Sequence, residues 1–254
     1  MHVSTPVPHV IQSSTWDCGL ACVCAIAQAQ GCNLSLAEVT LLMGSIESVW
    51  TIDLAYLLRK LSDDQASLPK LYFSKRPPLL IPNLSPGREE GWDFTYYTST
   101  IGADAAHSKE KFYRKSFDDD QKRVNALFKD ADAANIRVIE LKLPLDDFKR
   151  FLYCRKYAVI TLVNQLSLKC PQCIEKTAFC NCNSGVLGSF VQRMKGYRYL
   201  GHFIILVAYD PDEDVFYYRD PAVSDDMCSI SATDLERARD SNGTDHDCVV
   251  VNIA

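Results

Sequence analysis

No stretch of this chain approaches the roughly 18 consecutive apolar residues that a membrane-spanning helix requires. No basic block occurs either: Lys plus Arg number 27 against 32 Asp plus Glu, a formal net charge of −5. A mildly acidic chain without a basic stripe lacks the electrostatic footprint of a nucleic-acid binder. No G-x-G-x-x-G follows a strand pattern, no Gly-rich phosphate loop opens a helix, and no internal repeat recurs. The opening Met1-His2-Val3-Ser4-Thr5-Pro6 has neither the basic nor the apolar region of a signal peptide. Position 2 is not glycine, and Ile253-Ala254 carries no lipidation motif. These absences argue against membrane, collagen-like and mostly disordered chains, and against nucleic acid or a membrane as partner. They place the expected home of the chain in the cytosol or the nucleus.

What the sequence does hold is a core and an unusual number of thiols. The 254 residues are 47% hydrophobic, enough for one large domain. Cysteine occurs 11 times, an odd count that, without a secretory signal, reads as reduced thiols. Cys18, Cys22, Cys24 and Cys32 lie near the start, and Cys170, Cys173, Cys180 and Cys182 crowd one short stretch.

The pattern predicts helices first and a sheet later. Pro6 and Pro8 keep the lead-in extended. Asp17 is expected to cap a helix from Cys18, with Gly31 at its end. Ser35-Leu36-Ala37-Glu38 is a capping box, and Thr51 to Leu61 has helical apolar spacing. Five prolines mark 62–93 as a surface insertion. Strands are expected at 94–101, 136–143, 157–163, 202–209, 215–219 and 248–253. Helices are expected at 108–114, 119–134 and 145–154, with another capped by Thr233 to Glu236. Residues 164–200 form a Cys-rich loop. This order predicts an α+β fold, N-terminal helices packed on an antiparallel sheet, over a single domain spanning 1–254.

The chemistry concentrates around Cys18. A thiol in the first turn of a helix meets the orphan N–H groups and the positive dipole end. The neighbouring Asp17 opposes that effect, so a standing thiolate needs a further cation. His202 supplies one. Of five histidines it alone opens an apolar strand. A hairpin closing around Asp212-Glu213 puts Asp220 roughly opposite His202, where a carboxylate orients the imidazole. Gln12, six residues before Cys18, folds back to offer its NH2 beside the Cys18 N–H as an oxyanion hole. Each residue alone has a plainer reading: a core thiol, a polar strand end, a turn before proline. The four together outweigh those readings.

Gln12…Asp17-Cys18-Gly19-x-Ala21-Cys22, His202-Phe203-Ile204-Ile205 and Asp220-Pro221-Ala222 resemble the papain-like C39 peptidase pattern. The whole chain more closely resembles the guanylyl cyclase domain-containing protein 1 family and its plant soluble guanylyl cyclase relatives. That resemblance rests on Trp16 to Cys22, Val49 to Leu58, Gly201 to Ile204, Arg219 to Ala222 and Gly243-Thr244-Asp245. The Pro-rich 62–93 stretch departs from the family pattern.

The two resemblances imply different chemistry. The first implies a papain-like fold and a cysteine hydrolase acting on a peptide or small amide, with no cofactor required. The second implies conversion of GTP to cyclic GMP, which needs Mg²⁺ or Mn²⁺ on carboxylates. Asp118-Asp119-Asp120 and Asp210-Asp212-Asp214 are the acid clusters, but each reads better as a helix start or a turn. The thiol hydrolase is the primary expectation, the cyclase the alternative, and an inactive papain-like binding module the third. Separately, Cys170-Pro171-Gln172-Cys173 and Cys180-Asn181-Cys182 have spacings that can close a tetrahedral zinc site, the second pair tighter than usual.

Overall fold

Period-two burial on the long strands decides the architecture. On the strand over 157–164, Ala158, Ile160 and Leu162 enter one hydrophobic core while Val159 and Val163 enter another. A strand buried on both faces reads as a continuous apolar run, which is why this segment carries no polar alternation. The computed structural model describes residues 6–44, 46, 48–67, 91–103, 117–171 and 199–254.

Among these residues the helices are α1 (Cys18–Ala29), α2 (Leu36–Met43), α3 (Thr51–Ser67), α4 (Phe117–Asp130), α5 (Leu145–Tyr153) and α6 (Ala232–Arg239). The strands are β1 (Phe94–Thr98), β2 (Arg137–Glu140), β3 (Tyr157–Asn164), β4 (Gly201–Asp210), β5 (Val215–Arg219), β6 (Cys228–Ser231) and β7 (Cys248–Asn252). They form one sheet in the order β2-β1-β7-β3-β4-β5-β6. α1 to α4 share a core with one face, and α5 and α6 share a core with the other. The fold is α+β.

Several expectations change at this level. The sheet is not wholly antiparallel: β2 runs parallel to β1, Thr95 opposite Arg137. The long connection through α4 lets β2 enter from the same end as β1. β1 and β2 are shorter than expected, and helix 119–134 becomes Phe117–Asp130, with Asn135 at φ 54 turning the chain. The insertion at 62–93 is trimmed. α3 continues to Ser67, Ser62 is buried, and its Oγ accepts the Trp92 N–H at 2.6 Å. The core of that insertion and the helix expected at 108–114 lie outside the described residues. Ser231, not Thr233, caps α6, its hydroxyl accepting from Asp234 N. The capping box at Ser35 and Glu38 is formed, and Gly31 has φ 93 past the end of α1.

α1 is enclosed over its first ten residues, Cys18 to Ala27. It packs on β4, β3, α2 and α3. Gly19 makes this approach possible: a Cβ there would meet Leu54 and Phe203 at 3.0 Å. On the face of α3 toward α4, Trp50 N donates to Asp53 at 2.8 Å and Arg123 pairs with both Asp53 and Asp120. Burial pushes the Asp53 carboxyl up to about 6 against the pull of Arg123.

Asp247, just before β7, is buried at 7% exposure, and its Oδ1 has no hydrogen-bond partner. Burial pushes its carboxyl up to about 7; the Asp245 charge adds to this, while the hydroxyls of Thr51, Thr98 and Tyr96 oppose it. An acid raised above its unfolded value of about 3.9 binds its proton more tightly when folded. Its cost is absent below pH 4, grows as pH rises, and is complete above about pH 7. Asp247→Asn removes that cost. Thermal unfolding of parent and variant is expected to diverge with pH, the variant gaining up to about 4 kcal/mol at pH 8 and nothing at pH 4. A pH-independent difference would show that the carboxyl is not held neutral.

Candidate active site

Cys18 is the first residue of α1 and is 7% exposed. Asp17 does not cap the helix with its side chain, contrary to expectation. Its buried carboxylate faces upstream and accepts from Ser13 N at 3.2 Å, Ser13 Oγ at 2.5 Å and Ser14 N at 3.0 Å. Loop donors thus satisfy the charge that sequence reasoning set against a thiolate. The orphan N–H groups of the first turn are left without a side-chain cap.

His202 is the second residue of β4, 3% exposed, and Asp220 follows the last residue of β5. The hairpin between them contains an irregularity between Leu206 and Ala208. Arg219 therefore pairs with Ile205, and Asp220 lies beyond it toward Ile204, two residues from the expected register. The side chains nevertheless meet: His202 Nε2 lies 2.7 Å from Asp220 Oδ1. The Ala222 N–H donates to the same oxygen at 2.9 Å and fixes the carboxylate. A carboxylate only accepts, so Nε2 carries a proton.

The Cys18 thiol acts on the same ring and helps to raise its hold on a proton. With Nε2 committed to Asp220, Nδ1 is the nitrogen left for the thiol. Burial alone pulls the imidazole down, but the Asp220 charge, its hydrogen bond and Cys18 more than offset this and raise His202 to about 10. Burial pushes the Asp220 carboxyl up; the His202 charge and hydrogen bond, the Ala222 N–H and the His9 charge outweigh it and leave it low. Cys22, one turn along α1, is held well up by burial and by the charges of Cys18 and Asp220. Packing is its role in this arrangement.

The lead-in is a strap laced to the end of β5. Arg219 Nε donates to Val7 O at 3.2 Å, His9 Nε2 to Asp220 O at 2.8 Å, and Gln12 N to Pro221 O at 2.9 Å. The strap brings Gln12 beside the Asp220 segment. Its Nε2 donates to Ser14 O at 2.8 Å, and its Oε1 is buried without a partner. One Nε2 hydrogen serves Ser14 O, so service in an oxyanion hole falls to the second hydrogen of the same NH2. Sequence reasoning passed over His9 as part of a terminal stretch and missed Asp17 as an organiser of the 13–14 loop. The Pro6-x-Pro8 extension was the available signal for a strap.

Of the proposed zinc ligands, Cys170 is buried just after β3, while Cys173, Cys180 and Cys182 lie outside the described residues. Among the described residues, no group of three or more His, Cys, Asp or Glu is arranged to hold a metal ion. Asp120 is taken by Arg123. Asp210 accepts from the Asp212 N–H of its own turn, and Asp214 meets Tyr209 and Lys149. No helix among them is long and apolar enough to cross a membrane.

Comparison with known proteins adds two findings. The profile of a family described as guanylylate cyclase matches residues 7–71 and 88–251. The break in that match falls inside the Pro-rich segment. The chain is also 33% identical over 251 residues to a protein named Guanylyl cyclase 1 from Arabidopsis thaliana, covering 97% of this chain and 76% of that one.

The paired shifts fix the pH window of the His202–Asp220 pair. Its stabilisation is complete above the unfolded carboxyl value of about 4 and below the unfolded imidazole value of about 6.5. It is lost in acid as Asp220 is protonated, and in base as pH passes through about 10. The ring proton signals of His202 should therefore show no titration between pH 5 and 8.5. In Asp220→Asn the midpoint should fall by several units. A wild-type midpoint near 6.5 would mean that the charge pair is not formed in solution.

Proposed function

The chain belongs to the guanylylate cyclase family, and within that family we propose that this member is a papain-like thiol acyl hydrolase. Cys18 is the nucleophile, His202 the proton carrier, Asp220 its orienter and Gln12 an oxyanion donor. One observation carries the reading: a buried imidazole lies 2.7 Å from a buried carboxylate, and the first thiol of a helix acts on the same ring. Ordinary core packing gives no reason to bury a charged histidine there, because desolvating two ions costs several kcal/mol each before they attract.

In this reading each residue has a step. The Cys18 proton passes to His202 Nδ1, and the sulfur attacks the acyl carbon. The S–C bond forms, and the oxyanion takes the Cys18 N–H and the second hydrogen of the Gln12 amide. His202 Nδ1 gives its proton to the leaving amine as the C–N bond breaks. Water then adds to the thioester, passing a proton to Nδ1, and the acid leaves. Exposures of 7% and 3% at Cys18 and His202 admit only a narrow acyl group, such as an extended peptide or a small amide.

The family's name supports a second reading, formation of cyclic GMP and pyrophosphate from GTP, and the likeness to the Arabidopsis protein favours it. That reaction calls for carboxylate-held divalent metal and cations around a triphosphate. Of the two acid clusters, Asp120 is held by Arg123, Asp210 by its own turn and Asp214 by Lys149.

Two assays on the purified full chain separate the readings. Iodoacetamide should alkylate Cys18 at pH 6 at least about tenfold faster than it does in His202→Ala, with modified peptides read by mass spectrometry. Equal rates would remove the thiol reading. In parallel, GTP with Mg²⁺ or Mn²⁺ should yield no cyclic GMP above the blank. Cyclic GMP that forms as well in Cys18→Ala as in the parent would establish the cyclase and overturn the hydrolase.

A further inference from the structure

Gly243-Thr244-Asp245 is the family-like motif that the thiol site does not use. It lies in the loop between α6 and β7, and that loop is rigidly built. Thr244 Oγ1 shares its one proton between Arg239 O and Ser241 O, the latter at 2.9 Å. Tyr199 OH donates to Gly243 O at 2.6 Å, and Ser99 N to Asp245 O at 2.8 Å. Gly243, at φ 94, lies where a Cβ would meet the Tyr199 ring at 3.0 Å. Asp245 and His246 follow at φ 47 and 51, both left-handed without being glycine. Consecutive residues in that region persist only where surrounding contacts hold them, and such strain concentrates at functional sites.

The strained turn presents His246 between two partners. Its Nε2 lies 2.8 Å from Asp240 Oδ1, and its Nδ1 lies 3.2 Å from Ser99 Oγ. Since the carboxylate only accepts, the neutral ring keeps its proton on Nε2, and Nδ1 is free to accept from the Ser99 hydroxyl. That hydroxyl now donates to Asp245 O at 2.9 Å, and rotation about its C–O bond redirects it to Nδ1. A serine, a histidine in the accepting tautomer and an orienting carboxylate are the roles of a nucleophilic triad, whatever their chain order.

We propose that Ser99, His246 and Asp240 form a second, solvent-facing catalytic triad that hydrolyses small uncharged carboxylic esters. Ser99 Oγ attacks the ester carbonyl, and its proton passes to His246 Nδ1. As the bond to the leaving oxygen breaks, that nitrogen protonates the alkoxide, and the alcohol departs. Water then attacks the acyl-serine and gives a proton to the same nitrogen. The carboxylic acid leaves, and the Ser99 oxygen recovers the proton. Asp240 orients the ring while sharing its charge with Lys142. Two apolar side chains flank the site, Ile101 at 50% and Leu141 at 45% exposure, and the Leu141 N–H bonds the Thr98 carbonyl at 2.7 Å. They offer an acyl chain an apolar surface, and the carboxylates disfavour an anionic substrate. The site does not depend on the thiol reading: β1 and β4 are three places apart in the sheet, roughly 14 Å at the usual strand spacing.

The test uses the full chain in a Cys18→Ala background, so that the thiol site contributes no signal. A fluorophosphonate probe should label Ser99, identified by peptide mass spectrometry. His246→Asn, a residue that tolerates the left-handed backbone, should slow labelling at least about tenfold, and Asp240→Asn by a few fold. Hydrolysis of p-nitrophenyl acetate should fall in the same order and be abolished in Ser99→Ala. Melting temperatures would confirm that each variant is folded. Absence of probe on Ser99, or an undiminished rate in folded His246→Asn, would overturn the proposal.

Discussion

The interaction on which the rest of the site depends is the buried hydrogen bond between His202 and Asp220. A buried imidazolium and carboxylate are sustained only if attraction and further hydrogen bonds offset their lost hydration. The surrounding contacts supply those bonds. Ala222 N–H donates to the carboxylate, and His9 ties the Asp220 peptide to the strap. Arg219, next in the chain, fastens the strap again at Val7. Removing Asp220 would strip the buried ring of what keeps it protonated, and removing His202 would strip the buried carboxylate of what keeps it ionised. The pair, the strap and the helix terminus are thus one unit, with the first thiol of α1 as its third member.

Sheet topology explains why reactive groups gather at one end. β3 ends where β4 begins, with Asn164 opposite Gly201. β7 begins beside the ends of β1 and β3, with Cys248 opposite Tyr97 and Thr161. β5 ends beside the first half of β4. His202, Asp220, Asp247 and Ser99 therefore share an edge of the sheet, and α1 lays Cys18 against it. At strand ends the backbone ladder stops, so side chains and turns can satisfy polar groups there without breaking a pairing.

What the sequence disclosed follows from the same physics. The core strands were legible because both faces are buried and the apolar runs are uninterrupted. Cys18, His202 and Asp220 were legible because each sits at an element boundary that local residues announce. The contacts of Gln12, His9 and Asp17 were not, because side chains in a strap take whatever partners the tertiary fold brings. The turn at Asp212-Glu213 by itself points Asp220 at Ile205, and an irregularity between Leu206 and Ala208 that no turn residue marks moves it one residue closer to His202. The four-residue β2, whose burial pattern runs from exposed to half-buried, carries little signal of its parallel pairing. Polar residues at 62–67 looked like the start of a loop, yet Ser62 is buried against Trp92 at the sheet-facing side of a continuing helix. Ser99 and His246 are 147 residues apart, and nothing local to either hints at the other.

Among the described residues the chain thus holds two histidine–carboxylate units in opposite surroundings. At His202 the imidazole and carboxylate are 4% and 8% exposed by side chain, and at His246 they are 23% and 44% exposed. At equal spacing an ion pair in a low-dielectric interior interacts several times more strongly than one beside water. The buried unit is therefore suited to holding the charge that its ring takes up from a thiol. The exposed unit shares its carboxylate with Lys142 and with solvent, so its ring can accept and return a proton without breaking a buried charge pair. Cysteine needs the first environment because its reactive form is an anion, and serine needs the second because its proton must leave during the attack. At both proposed sites the surroundings suit the nucleophile assigned to them.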